Sequence, residues 1–194
     1  MTARCSFMKS KPLLVVSLSA AAAALWAGCA TSKPSTALRG SVHPESRLAE
    51  LKLDLPPVSK PPVTIRNMVL AGNLAFVSGH LPRRGDNSVI AGRVGEDLDV
   101  NAGKAAARQV GLAILATLRH ELGSLNRVRR VVKVLGMVNC PSGFRDQPAV
   151  INGCSELFIQ VFGEDNGKGA RSAVGMSSLP GNAAVEIEAI FEIQ

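Results

Sequence analysis

Strict alternation of apolar and polar residues marks the C-terminal end of the chain. In VEIEAIFEI, Val185, Ile187, Ala189, Phe191 and Ile193 fall on one face of an extended segment, while Glu186, Glu188 and Glu192 fall on the other. Two further β-rich runs, VTIRNMVLAG and LAFVSGHLP, meet at Gly72-Asn73, a dipeptide suited to a tight hairpin. From Asp99 the period changes. Ala102, Ala105, Ala106, Val110, Ala113, Ile114 and Leu118 recur at spacings of three and four, which predicts a helix stopped at Gly123. Its small alanines would allow a close approach to a sheet. RVVKVLGMV reads as a strand and PAVINGCSELFIQVFGE as a second helix; further strands open at Arg171 and Val185. SRLAELKL predicts a short leading helix with a serine N-cap, closed by Pro56 and Pro57. The body is therefore β-β-α-β-α-β-β, an α+β sandwich with its helices on one sheet face. The other face must be solvated or buried in an oligomer.

Ahead of this body, Lys9 and Lys11 precede the uncharged apolar run LLVVSLSAAAAALWAG, which ends in small residues before Cys29. That pattern predicts a signal peptide over residues 1–28. WAGC resembles a bacterial lipobox, which implies lipidation of Cys29 and an exported periplasmic or outer-membrane lipoprotein, a secreted protein being the alternative. Residues 29–45 read as a flexible linker and residues 46–194 as the folded domain. Removing the signal takes away Arg4, Lys9 and Lys11 and no acid, so the formal charge falls from +7 to +4. Such mild basicity, without interleaved aromatics, argues against nucleic acid as a partner. Arg127, Arg129 and Arg130 read as decoration of a strand start. Arg84-Gly85-Asp86 reads as an ordinary loop triplet.

Several chemistries lack the residues they need. His43, His80 and His120 are far apart, with no Cys or carboxylate at metal spacing, so no metal site is expected. There is no GxSxG, P-loop or dinucleotide fingerprint, and His80 reads as a lone surface imidazole. What remains is Arg171 and the strand-borne glutamates. Arg can fix a carboxylate through paired bonds, and a partly buried Glu can act as general acid or base; a solvated face with a surface ion pair is the alternative. After signal removal and lipidation of Cys29, Cys140 and Cys154 are the thiols that remain; export would favour a disulfide between them, two buried free thiols being the alternative.

GNLAFVSGHLP, GRVGEDLDVNAGKAAARQVGLAILATLR and RSAVGMSSLPGNAAVEIEAIFEI resemble the RidA/YjgF family of reactive-intermediate deaminases, over about residues 46–194. Within that family, the segment from Asp146 to Ser155 (DQPxVINGxS) resembles one branch. The resemblance implies a chorismate-mutase-like fold and a homotrimer with ligand clefts between subunits. It implies hydrolysis of 2-imino or 2-enamino acids to 2-oxo acids and ammonia, without a cofactor. Arg171 would hold the substrate carboxylate and Glu186 would position the attacking water, with Ser78, Gly79, Ser172 and position 65 as further substrate contacts. Two residues depart from the family pattern: Ile65 stands where a tyrosine is expected, and Ala173 where many deaminases carry cysteine. The alternative is a non-catalytic trimer that binds a small carboxylate or a protein partner. Ribonuclease activity finds no support in the charge pattern.

Overall fold

The computed structural model of the chain describes residues 43–194. The expected signal peptide, Cys29 and most of the expected linker lie outside them. The described elements are α1 (Pro44–Glu50), β1 (Met68–Ala71), β2 (Leu74–His80), α2 (Val100–Leu122), β3 (Val128–Asn139), α3 (Gln147–Phe162), α4 (Glu164–Gly167), β4 (Ala170–Met176) and β5 (Val185–Ile193). The expected β-β-α-β-α-β-β order is present. It is preceded by α1, and the single turn α4 is inserted before β4.

The strands form one sheet in the order β1-β2-β5-β3-β4. β3 and β4 are parallel, joined by the crossover through α3, and every other pair is antiparallel. Local rules set the element ends. Gly72 takes φ 60° in the two-residue hairpin between Ala71 and Leu74, a conformation that costs a glycine little. The Asp99 carboxylate accepts the Ala102 N–H at 2.7 Å and so caps α2, and Gly123 ends that helix at φ 80°.

Two expectations need correction at this level. α1 begins at Pro44 with His43 as its N-cap, so Ser46 lies inside the helix and the helix ends before Leu51. Pro44 supplies the start because its fixed φ suits the first helical position. The close approach made by α2 is also to a helix rather than to the sheet. A Cβ at Gly111 would touch Leu157 and Cys154 of α3, and one at Gly153 would collide with the Lys104 carbonyl of α2. Ala105 faces solvent, while Gly103, Ala106, Ala107 and Gly111 are buried.

The core lies between the helices and one sheet face. Phe158, Phe162 and Phe191 pack there with ring centroids 5.5 to 6.2 Å apart, beside fully buried Ile187 and Val185. Cys140 and Cys154 are both buried free thiols, so the expected disulfide is absent. They serve different contacts. Cys140 Sγ, at the end of β3, neighbours the Gln147 side chain, whereas Cys154 Sγ faces Gly111. Among the described residues nothing covers the opposite sheet face: Val69 and Phe76 stay 51% and 40% exposed there, paired with each other across β1 and β2.

Candidate functional site

β1 begins at Met68, which pairs with Val77, so among the described residues no strand flanks the last residues of β2 on that side. The chain before β1 fills part of this space as a proline-rich strap, residues 56–62. The strap is pinned where Asn67 Nδ2 donates to the Ser59 carbonyl at 2.8 Å. Between the strap and the end of β2 lies a cleft of about 850 Å³, lined among others by Ile65, Ser78, Gly79, His80, Gln109 and Glu186.

A bulge in β2 shapes this end. Val77 pairs with Ala189 but His80 pairs with Ile187, so Ser78 and Gly79 occupy an irregular step. Glu186, between buried Val185 and Ile187, points away from the core, and its carboxylate lies over Gly79 so closely that a Cβ at 79 would collide with Oε1. The glycine is there to admit the carboxylate. Partial burial raises the Glu186 pKa above the ordinary carboxylate value, and the neighbouring Glu188 charge raises it further. The Ser78 hydroxyl is turned back to its own chain, donating to the Arg66 carbonyl at 2.6 Å.

His80 is not a lone surface imidazole. Its Nδ1–H donates to the Ser78 carbonyl at 2.7 Å. A carbonyl only accepts, so Nε2 is the bare nitrogen and accepts the buried Thr117 hydroxyl at 2.8 Å. Burial lowers its pKa, partly offset by the bond to Ser78. With both nitrogens engaged, the ring holds the end of β2 against α2.

Arg171 lies elsewhere. β4 is separated from β5 by β3, and Arg171 pairs with core-facing Val134. Its Nη1 donates to Asn152 Oδ1 at 2.7 Å and Ser155 Oγ at 3.1 Å, both on α3. Arg171 therefore sits on the helix side of the sheet and Glu186 on the bare side, so this Arg cannot neutralise the glutamates along their own face. A second depression of about 280 Å³ surrounds it, lined also by Lys168 and Glu156. Ser172 faces away from the helices and accepts from Lys133 Nζ at 2.8 Å. Within one chain, then, Ile65, Ser78 and Gly79 join Glu186, and Arg171 and Ser172 do not. Asn152 and Ser155, which hold Arg171, belong to the DQPxVINGxS segment, but no role in a site is assigned to them from the sequence. Their spacing of three on a largely apolar helix is the signal that could have found them.

The comparisons agree with this architecture. Residues 45–192 match the model of the YjgF/chorismate mutase-like family, which carries a provisional endoribonuclease label. The chain is 39% identical over 148 residues to the protein TCP17 of Trypanosoma cruzi, covering 76% of this chain and 92% of that one. Among solved structures it resembles Atu1372 of Agrobacterium tumefaciens, a protein of unknown function, at 42% identity and TM-score 0.70, over 79% of this chain and 93% of that one. It also resembles a Shewanella oneidensis MR-1 protein provisionally called an endoribonuclease, at 26% identity and TM-score 0.73, over 78% and 99% of the two chains. With the α+β sheet, the Glu186 cleft and a family match that spans nearly all the described residues, the chain belongs to the RidA/YjgF family.

Proposed function

We propose that the protein hydrolyses 2-imino or 2-enamino acids to 2-oxo acids and ammonia, in a homotrimer whose sites combine residues of two subunits. The observation that carries this reading is the Glu186 carboxylate, held over Gly79 with a raised pKa in an open cleft. An enamino acid first tautomerises to the imine. A water held by Glu186 then adds to the carbon of the protonated imine: the C–O bond forms, the C=N π pair moves to nitrogen, and one water proton passes to the carboxylate. The resulting carbinolamine expels ammonia when its nitrogen is protonated and its hydroxyl proton is withdrawn. The products are a 2-oxo acid and ammonia, with one water consumed. A carboxyl whose pKa is raised suits both proton transfers.

Arg171 would enter from an adjacent subunit and hold the substrate carboxylate. Asn152 and Ser155 fix the guanidinium from one side through Nη1 alone, and prior fixing lowers the entropy cost of binding. The bare sheet face, with Val69, Phe76, Val174 and Met176 exposed, would be covered by the neighbouring subunits. We propose further that residues 1–28 direct export and that Cys29 is acylated, which mass spectrometry of membrane-fractionated protein would test.

The activity is tested by ammonia release from imino acids generated in situ by an amino-acid oxidase. Release that depends on Glu186 supports the reading; release at the uncatalysed rate defeats it. A second reading, a non-catalytic binder of small carboxylates, is favoured by Ile65, which lines the cleft 52% exposed and offers no hydroxyl where the family pattern expects one.

A further inference from the structure

Besides Glu186, the charged side chains lining the cleft are Lys60 on the strap and Arg83 and Arg84 beyond the end of β2. Many cations of this chain are paired with acids: Arg47 with Glu50, Arg93 with Glu96, Lys104 with Glu156, Arg119 with Glu45, and Arg129 with Glu192. Among the described residues, Lys60, Arg83 and Arg84 make no such ion pair.

The two guanidiniums are nevertheless held in place. Arg83 Nη1 donates to the Asn87 carbonyl at 2.9 Å and Arg84 Nη1 to the Val89 carbonyl at 3.0 Å. The loop that carries them is closed by Arg84 N–H to the Ser88 carbonyl and Asn87 N–H to the Arg84 carbonyl, each at 2.9 Å. Asp86, the acid of this loop, is turned to Ser88, accepting from its backbone and its hydroxyl at 2.9 and 2.6 Å; it feels the Arg84 charge without forming a direct ion pair with it. It does not line the cleft. On the strap, Ser59 is tied down by Asn67, which brings the adjacent Lys60 to the rim.

We infer that the cleft takes a ligand with two anionic groups: a 2-imino or 2-oxo acid whose side chain ends in a second carboxylate or a phosphate, seated on Lys60, Arg83 and Arg84. This rests on the cleft beside Glu186 being the ligand site. Lys60, Arg83 and Arg84 line the cleft together with one carboxyl, Glu186, and give it a positive excess that a monocarboxylate would not balance. Guanidiniums fixed by carbonyls keep donors for an anion at little further entropic cost.

The test is calorimetric titration of the purified protein at low ionic strength with three stable probes: 2-oxobutanoate (one anionic group), 2-oxoglutarate (two carboxylates) and 3-phosphohydroxypyruvate (carboxylate and phosphate). At least one of the two doubly anionic probes should bind roughly tenfold tighter than 2-oxobutanoate, the scale of one charge-assisted bond. Whichever does so identifies the terminal group. In the Arg83→Gln/Arg84→Gln variant the ratio of affinities should collapse toward one, and Lys60→Met should lower it in the same direction. Equal affinities in the parent protein, no binding of either doubly anionic probe at millimolar concentration, or a preference that survives the double substitution would each overturn the inference. Ammonia release is measured separately. Its absence with the affinity preference intact would remove the deaminase reading and leave the second anion site standing; deamination without any preference would do the reverse.

Discussion

At the scale of single residues, Glu186 and Gly79 form one unit. Because a Cβ at 79 would strike Glu186 Oε1, Gly79→Ala should push the carboxylate out of position while leaving the sheet ladder intact. We predict a fall in kcat of about 10²-fold, the scale of an ångström of misplacement, with little change in urea midpoint. The pH profile gives a second check. A base must be ionised to act, and the Glu186 pKa is raised. The acid limb of kcat should therefore sit above the ordinary carboxylate range, and Glu186→Gln should abolish both turnover and that limb. The face of Glu186 was legible in the sequence because alternation in VEIEAIFEI needs no tertiary knowledge. The place of Arg171 was not. Alternation assigns faces within a strand, but nothing in RSAVGM says that β3 is inserted between β4 and β5 or that Asn152 and Ser155 wait on α3.

At the scale of elements, the end of β2 depends on the His80–Thr117 bond and the α2–α3 pair depends on Gly153. His80 has a folded-state pKa below its ordinary value, chiefly through burial. The unfolded chain therefore takes up the proton first. The stability this ring contributes is complete above pH about 6.5 and is lost as pH falls through the lowered folded value. The charged groups sharing its cleft are Lys60, Arg83, Arg84 and Glu186. Glu186 works in the opposite sense, since a raised carboxyl pKa makes the folded state hold the proton more tightly as pH falls from its raised value. Urea midpoints should therefore drop between about pH 7 and pH 5.5, and the drop should flatten in His80→Asn. A midpoint that does not move in the parent would contradict this. Gly153→Ala would drive a Cβ into the Lys104 carbonyl, a backbone atom that cannot swing aside, and should cost about 1–3 kcal/mol by urea denaturation. The hairpin, the α2 caps and the span of α3 were readable because turn and cap chemistry is local. The strap was not, because residues 56–62 have no period, and the bonds that hold them come from Asn67 to the Ser59 carbonyl and from Ile65 N–H to the Pro62 carbonyl.

At the scale of the whole molecule, the bare sheet face and the separation of Arg171 from Glu186 pose one problem. The chain exposes Val69, Phe76, Val174 and Met176, and it places its best carboxylate anchor on the far side of the sheet from its best base. A closed ring of three copies would answer both, since each site would then take Arg171 from one subunit and Glu186 from the next. If so, Phe76→Glu should shift the protein from trimer to monomer on sizing and remove activity with it. Complementation gives the sharper test. Arg171→Ala and Glu186→Gln proteins should each be inactive as homotrimers. When the two are unfolded together in equal amounts and refolded, random assembly gives about a quarter of the sites both an intact arginine and an intact glutamate. Activity should return to that fraction of the parent value. If both groups instead acted from the same chain, every site in every mixture would lack one of them, and no activity would return.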